Sequence, residues 1–306
     1  MENTIKSKKR ILVTGSNGFI GHHFCSYMME HGYYTIGIGR TKTSKANVAE
    51  YYSCDLATDE VFRIVGNEIK QIDAIIHLAA DMRKEPHNIS VVTDNCGGTQ
   101  RLLELCEIKQ IPAFLQLSSL PLIGKPDKLP ITEDYKVEPP TVYHATKRME
   151  ELLADYAYRK RGIRTASFRI TSPTGEGMNE STILPTFVKC AIKNEDILLY
   201  GKGTRKQTYI HVLDIARALE CALLSDCHGV YNLASYNCIS NFDLAKAVTE
   251  ICKSKSKIIF NGKNDPMDEY YYEVDISKIK QDTGFEPQIG IEEIIRDMEQ
   301  HLKENK

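Results

Sequence analysis

Short apolar, β-branched runs alternate along this chain with longer stretches of helical period. Ile11–Thr14, Thr35–Ile38, Ala74–His77, Ala113–Ser118 and Thr165–Ile170 are predicted strands. Between and beside them, Phe19–His31, Thr58–Lys70, Asp94–Lys109 and Val142–Arg161 are predicted helices. Strand followed by helix, repeated, implies an α/β fold: a doubly wound parallel sheet of Rossmann type, helices on both faces and crossovers right-handed.

After Thr171 the pattern changes. Pro173, Gly175 and Gly177 mark a loop, strands become fewer, and helices are predicted at Thr182–Lys193, Leu213–Ser225, Asn241–Lys253 and Ile291–Lys303. The division expected is a dinucleotide-binding domain over residues 1–171 and a smaller α/β substrate domain over 172–306. A segment around 206–235 should return to the first domain, with Val230–Leu233 joining the main sheet. No internal repeat is visible, and Lys253–Lys257 reads as a solvated charge run.

Composition narrows the class without naming a chemistry. The 306 residues are 42% hydrophobic and 26% charged, with a net charge of −2 spread along the chain. That is a globular composition with no call for nucleic acid or a membrane surface as partner. The opening, Met1 to Arg10, is polar and basic, so a secretory signal is not expected, and no apolar run is long enough to cross a bilayer. The 9 cysteines form no CxxC pair and read as reduced, mostly buried thiols, which points to the cytoplasm. His22, His23 and Cys25 have no partner cluster, so no metal site is expected.

Chemistry enters at the first strand. It runs into Gly15-Ser16-Asn17-Gly18-Phe19-Ile20-Gly21, a GxxGxxG spacing between a strand and a helix. The first glycine permits a tight turn, the second lets backbone approach a pyrophosphate, and the third lets helix and strand pack closely. The helix N-terminus adds free N–H groups and partial positive charge. The second strand ends in Gly39-Arg40, where an acidic residue would bind a ribose 2′-hydroxyl. A guanidinium there can pair with a 2′-phosphate instead, favouring NADP over NAD.

Tyr143 and Lys147 stand four apart on a predicted helix and so share a face. The ammonium is expected to lower the tyrosine pKa toward working pH, leaving Tyr143 able to exchange a proton with a substrate hydroxyl. Ser118 and Ser119 end a predicted strand at the carboxyl edge of the sheet, where this kind of fold binds ligands.

With these residues in place the chain resembles the extended short-chain dehydrogenase/reductases, the NAD-dependent epimerase/dehydratases, from about Arg10 to Met298. The matches, in order, are the three glycines, Asp55-Leu56, His77-Leu78-Ala79-Ala80, Asn95-x-x-Gly98-Thr99, Ser118-Ser119 with Gly124, and Tyr143-x-x-x-Lys147 with Glu150. Arg169 with Gly175, Tyr209-Ile210-His211-Val212-x-Asp214 and Asp275-x-Ser277-Lys278 follow. The resemblance implies that Asp55 and Leu56 lie beside the adenine, and that Leu78, Ala79, Ala80 and Asn95 belong to the cofactor site. It gives Lys147 the nicotinamide ribose, Ser119 the family's Ser/Thr position, and Tyr143 the acid/base role. It also implies a homodimer through Asp94–Lys109 and Val142–Arg161.

Several positions depart from the family. Leu120-Pro121 replaces the Asp-Glu pair of the sugar-nucleotide 4,6-dehydratases, which disfavours dehydration. Ile123 replaces a Tyr, Ser172 an Asn that binds substrate phosphate, and Gln207 an Arg; a second diphosphate Arg is absent near Asn264-Asp265. Two lost charged hydrogen bonds weaken a diphosphate by roughly 3–6 kcal/mol. Either Lys202, Arg205 and Lys206 compensate, or the substrate is not the usual nucleotide sugar. The substrate residues expected are Ser119, Ser172, Arg205 and Gln207. The expected function is an epimerase at C4 of a nucleotide-activated sugar. The alternatives are an NADPH-dependent ketoreductase of a sugar or other small secondary alcohol, and a cofactor-sensing regulator without catalysis.

Overall fold

The computed structural model describes residues 9–82 and 89–304; the basic opening, as far as Lys8, lies outside the described residues. The first half builds β1 (Arg10–Thr14), α1 (Phe19–Glu30), β2 (Tyr34–Gly39), β3 (Glu50–Ser53) and β4 (Ala74–His77). After these come α2 (Ile89–Val92), α3 (Gly98–Ile108), β5 (Ala113–Ser119), α4 (Val142–Arg161) and β6 (Arg164–Ile170). Then follow β7 (Ser172–Thr174), α5 (Ile183–Lys193), β8 (Ile197–Leu199), β9 (Lys206–His211), α6 (Val212–Leu224) and β10 (Gly229–Leu233). The chain closes with β11 (Asn237–Ser240), α7 (Asn241–Ile251), β12 (Ile258–Phe260), α8 (Ser277–Thr283) and α9 (Ile291–Glu304).

Seven strands form one sheet in the order β10-β6-β5-β4-β1-β2-β3, and every pairing is parallel. Alternation divides each strand between two cores. Ile11 and Val13 of β1 pack with Phe24, Cys25 and Met28 of α1 and with α6, whereas Leu12 faces Leu102, Leu103 and Cys106 of α3. Both faces are therefore covered, and the strands read as continuous apolar runs. Each fully buried Leu or Ile contributes about 1.5–3 kcal/mol of transfer free energy.

Three differences from the sequence reading have local causes. β3 was not anticipated: Glu50–Ser53 carries two tyrosines between polar residues, and its pairing to β2 makes it a strand. The helix expected over Thr58–Lys70 is a shorter wide-turned helix, Phe62–Glu68, and a second wide turn, Thr93–Gly97, joins α2 to α3. The region around 206–235 divides: β10 extends the main sheet beside β6, whereas β9 pairs with β7 and β11 in a separate three-stranded sheet.

The C-terminal part has its own core, where Leu184 and Val188 of α5, Leu244 and Val248 of α7, and Ile294 and Met298 of α9 meet. Asp214 ties this part to α6. It is fully buried in the first turn of that helix, where a carboxylate also suits the helix dipole. It accepts the backbone N–H groups of Gln288 at 3.2 Å and Ile289 at 3.1 Å and pairs with Arg217. Asp214→Ala leaves those donors without their acceptor and is expected to cost on the order of 2–4 kcal/mol. Urea denaturation reads it, and an unchanged midpoint would rule out this role for Asp214.

Candidate active site

The strand order reverses between β1 and β4, and ligands bind such folds outside the carboxyl ends of the strands at that point. A cleft of about 1260 Å³ opens there. It runs from the glycine loop and the ends of β2 and β4, past Ser119, Tyr143 and Lys147, to Ser172, Arg205 and Gln207. Every site residue expected from the sequence lines this cleft except Asn17.

The glycine loop is shaped by close approach. Gly15 has φ +68, and a Cβ there would stand 2.7 Å from the Ala79 backbone nitrogen; a Cβ on Gly21 would stand 2.1 Å from the Gly15 carbonyl oxygen. Only glycine lets α1 come down so near β1 and β4. The N-cap of α1 is Gly18, with no side-chain cap and no acidic residue in the first turn, so the leading N–H groups and the dipole are left for an anion. Those features fit a dinucleotide pyrophosphate. Asn17 is spent elsewhere: its amide donates to Thr41 Oγ1 at 2.6 Å and accepts from the Lys45 N–H at 2.8 Å, pinning the loop after β2. Arg40 leaves β2 at the cleft wall with its side chain largely exposed, 3.5 Å from Asp94.

His77 and Asn95 are struts under this wall. His77 is buried, with Nδ1 2.7 Å from Thr14 Oγ1 and Nε2 3.1 Å from Thr99 Oγ1. Burial, with the nearby Lys147 charge, pushes its pKa down to about 3. Asn95 donates to the Asp81 carbonyl at 3.0 Å and to Thr146 Oγ1 at 2.9 Å, and accepts the Asp81 N–H at 2.7 Å. It thus joins the end of β4 to α4.

Helix α4 carries Tyr143 and Lys147 to the cleft. Thr141 caps it by accepting the His144 N–H, and Gly162 in the left-handed region ends it after a basic last turn. Lys147 is 3% exposed, and its Nζ donates to the Leu117 carbonyl at 3.1 Å and to Glu150 Oε2 at 2.9 Å. It stands 6.0 Å from the Tyr143 ring centre. Burial works against the Lys147 charge, but Glu150, Tyr143 and Cys96 together more than offset it and the ammonium is held above its ordinary pKa. One turn on, Glu151 takes two bonds from the buried Arg169, at 2.8 and 2.9 Å, and one from Ser118 Oγ at 2.7 Å. Ser118 is thereby committed, and Ser119, next along the strand, lines the cleft.

The expected electrostatics are corrected. Tyr143 was expected to have its pKa lowered toward working pH. Burial pushes it up, Lys147 pulls it down, Glu150 pushes it up again, and the net direction is upward. His144, beside Tyr143, also lines the cleft, 2.7 Å from Thr141 Oγ1. Of the three compensating cations, Arg205 alone faces this cleft; Lys202 and Lys206 line a separate hollow beside Asp243.

The sequence matches the NAD dependent epimerase/dehydratase family over residues 11–234. The chain belongs to that family. It is accordingly an NAD(P)-dependent enzyme. A dTDP-glucose 4,6-dehydratase of Streptomyces niveus is 26% identical, the match covering 92% of this chain and 89% of that one. A UDP-glucose 4-epimerase of Bacillus subtilis is 28% identical over 94% of this chain and 95% of its own. The crystal structure of a UDP-glucose 4-epimerase from Thermotoga maritima, with UDP-glucose, superposes with a TM-score of 0.87 at 22% identity. It covers 97% of this chain and 99% of that one, and it shares the fold.

Within this family member the burial of Glu150 was not anticipated; the Tyr270-Tyr271-Tyr272 run allowed either a sugar-site lining or aromatic packing. Glu150 is seven residues beyond Tyr143 and hence on its face of α4, a signal present in the spacing. Tyr272 lines the cleft and donates to the Gly124 carbonyl at 2.9 Å, so it both packs and walls.

Two predictions follow from the buried ionisable groups. Lys147→Met strands Glu150 and is expected to cost about 3–5 kcal/mol of stability, most of it regained in the double variant with Glu150→Gln. Equal destabilisation of single and double variants in chemical denaturation contradicts this pairing. His77 binds a proton less readily folded than unfolded, so between its ordinary pKa of 6.5 and about 3 the unfolded chain carries more protons. Its share of stability is present above that window and lost as pH falls, by at most about 1.4 kcal/mol per pH unit. Calorimetry across acid pH should show a flatter decline for His77→Gln than for wild type.

Proposed function

We propose that this enzyme is an epimerase acting at a carbon-bound hydroxyl, C4, of a nucleotide-activated sugar, with Ser119, Tyr143 and Lys147 as its working residues. The observation that supports it is their position on one cleft, with an anion-ready glycine loop at one end and Arg205 at the other. The nicotinamide, when bound, accepts a hydride and returns it. In the oxidising half Tyr143 takes the hydroxyl proton as the carbon-bound hydrogen leaves as hydride. In the return half Tyr143 gives that proton back while hydride re-enters on the other face of the carbonyl. Ser119 donates a hydrogen bond to the reacting oxygen, and Lys147 holds the ribose. Glycines 15, 18 and 21, with Phe19 and Ile20, take the pyrophosphate; Asp55 and Leu56 flank the adenine, and Leu78, Ala79 and Ala80 line the channel.

Arg205 supplies the anion contact toward the sugar end. Its Nε is buried without a partner among the described residues, and its terminal nitrogen reaches Gln207 only at 3.4 Å. Together with Ser172 it offsets the arginine that Gln207 replaces. Leu120 and Pro121 line the cleft where a dehydratase needs carboxyls, which supports reversible oxidation without water loss.

A second reading, a net NADPH-dependent ketoreductase, is favoured by Arg40. β2 ends in Gly39 with no acidic side chain for a ribose 2′-hydroxyl, and Arg40 lines the cleft near Asp55. NADP is the cofactor we infer on that ground. The intact Ser119, Tyr143 and Lys147 set speaks against a non-catalytic regulator. A homodimer is the assembly we infer, supported by Met149, Leu152 and Tyr156, about half exposed on the outer side of α4.

Tyr143→Phe should lower turnover roughly a hundredfold to ten-thousandfold; an unchanged rate removes Tyr143 from the reaction. Desalting and denaturing the purified protein separates the two readings. Stoichiometric NAD(H) released on denaturation favours the epimerase and counts against the Arg40 argument, because an epimerase regains its hydride every cycle. An empty protein that binds NADPH more tightly than NADH favours the reductase.

A further inference from the structure

Strand β5 ends at Ser119, and the chain passes at once into a single tight helical turn, Leu120–Ile123. The first two residues of that turn, Leu120 and Pro121, line the cleft next to Ser119. Leu120 is 1% exposed and belongs to an apolar cluster with Ile131 and Tyr272, and Tyr272 lines the cleft as well. The polar groups of this patch are already engaged. Tyr272 gives its hydroxyl to the Gly124 carbonyl at 2.9 Å, and the Tyr272 carbonyl takes the Thr208 hydroxyl. The Pro121 carbonyl accepts the Gly124 N–H at 3.1 Å, and Pro121 has no N–H of its own to offer. Thr171, just beyond β6, lines the same cleft, but its Oγ1 is buried. Arg205, the cation on the cleft's sugar side, is assigned above to the substrate's anion.

We propose that Leu120, Pro121 and Tyr272 form a specificity floor for the substituent on C5 of the sugar and select a methyl group there, so that the substrate is a nucleotide-activated 6-deoxyhexose. The inference rests on the epimerase reading given above and carries it on to the class of sugar. In a pyranose that reacts at C4, the substituents on C3 and C5 are the immediate neighbours of the reacting oxygen. Ser119 holds that oxygen, so the two cleft-lining residues that follow Ser119 face one of those neighbours. C3 carries a hydroxyl, which needs a partner once water is excluded. C5 carries the substituent whose polarity differs from sugar to sugar: methyl, hydroxymethyl or carboxylate. A floor whose donors and acceptors are engaged fits the C5 side and, of the three groups, the methyl. A hydroxymethyl gives up its hydrogen bond to water and finds no replacement, and a carboxylate gives up more. An apolar pocket rejects an added hydroxyl by only about a hundredfold at most, so hydroxymethyl sugars still bind, but less tightly.

The test is calorimetric binding to the Tyr143→Phe protein loaded with oxidised nicotinamide cofactor, in which turnover of the sugar is suppressed. UDP-6-deoxyglucose is expected to bind about tenfold or more tighter than UDP-glucose, with UDP-glucuronic acid weakest of the three. Adding Pro121→Ser, which puts a hydroxyl on the floor, should shrink the ratio between the first two by strengthening UDP-glucose. General damage to the fold weakens both ligands alike and leaves that ratio unmoved. Equal affinity for UDP-glucose and UDP-6-deoxyglucose, or tightest binding by UDP-glucuronic acid, would overturn the proposal and leave the nucleotide-sugar reading standing. So would a ratio that Pro121→Ser does not change. Binding of none of the three ends the nucleotide-sugar reading itself, and the proposal with it. The comparison of the three sugars can be read even if Pro121→Ser does not fold.

Discussion

Burial of the main sheet on both faces is the constraint from which the rest follows. With α1 and α6 over one side and α3 and α4 over the other, the strands inside the sheet expose polar backbone only at their ends. A ligand can therefore meet the sheet at its carboxyl edge and nowhere on its faces, and the reversal of strand order between β1 and β4 opens a crevice there. The glycine loop, the end of β5 and the start of α4 reach that edge because the strands end together. The close approach at Gly15 and Gly21 keeps the crevice narrow enough for helix N–H groups to face an anion.

Helix α4 adds a second constraint, charge balance in a dry place. Its inner face buries two carboxylates and an ammonium, and β6 contributes the guanidinium of Arg169. The sum is close to neutral, as burial demands. The division within that sum has chemical meaning. Arg169 satisfies Glu151 with two well-directed bonds and makes a rigid base, whereas Glu150 and Lys147 form a sparser pair next to the reacting tyrosine.

The C-terminal part closes the cleft from the other side. Gln207 and Arg205 both line this wall, and Arg205 brings a positive charge to it. Leu120, packed with Ile131 and Tyr272, makes the floor near Ser119 apolar, and Pro121 lines the cleft beside it. A dry floor strengthens each polar contact made above it.

Much was legible in the sequence because it is carried by local rules. Apolar runs such as Ile11–Thr14 and Ala113–Ser118 announce strands whatever surrounds them, and the GxxGxxG spacing after β1 announces a turn that only glycine can make. Four-residue spacing puts Tyr143 and Lys147 on one face of any helix. Residues whose state depends on distant partners were not legible. β3 is a strand because β2 pairs with it. Asn17 serves the loop after β2 rather than the cleft, because Thr41 and Lys45 come within its reach. The sequence determined which side chains stand at the sheet edge and in what order. The tertiary structure decided their charge: the upward direction of Tyr143 comes from burial, which outweighs the pull of Lys147, and electrostatic balance is set by distances in space, to which spacing along the chain is blind.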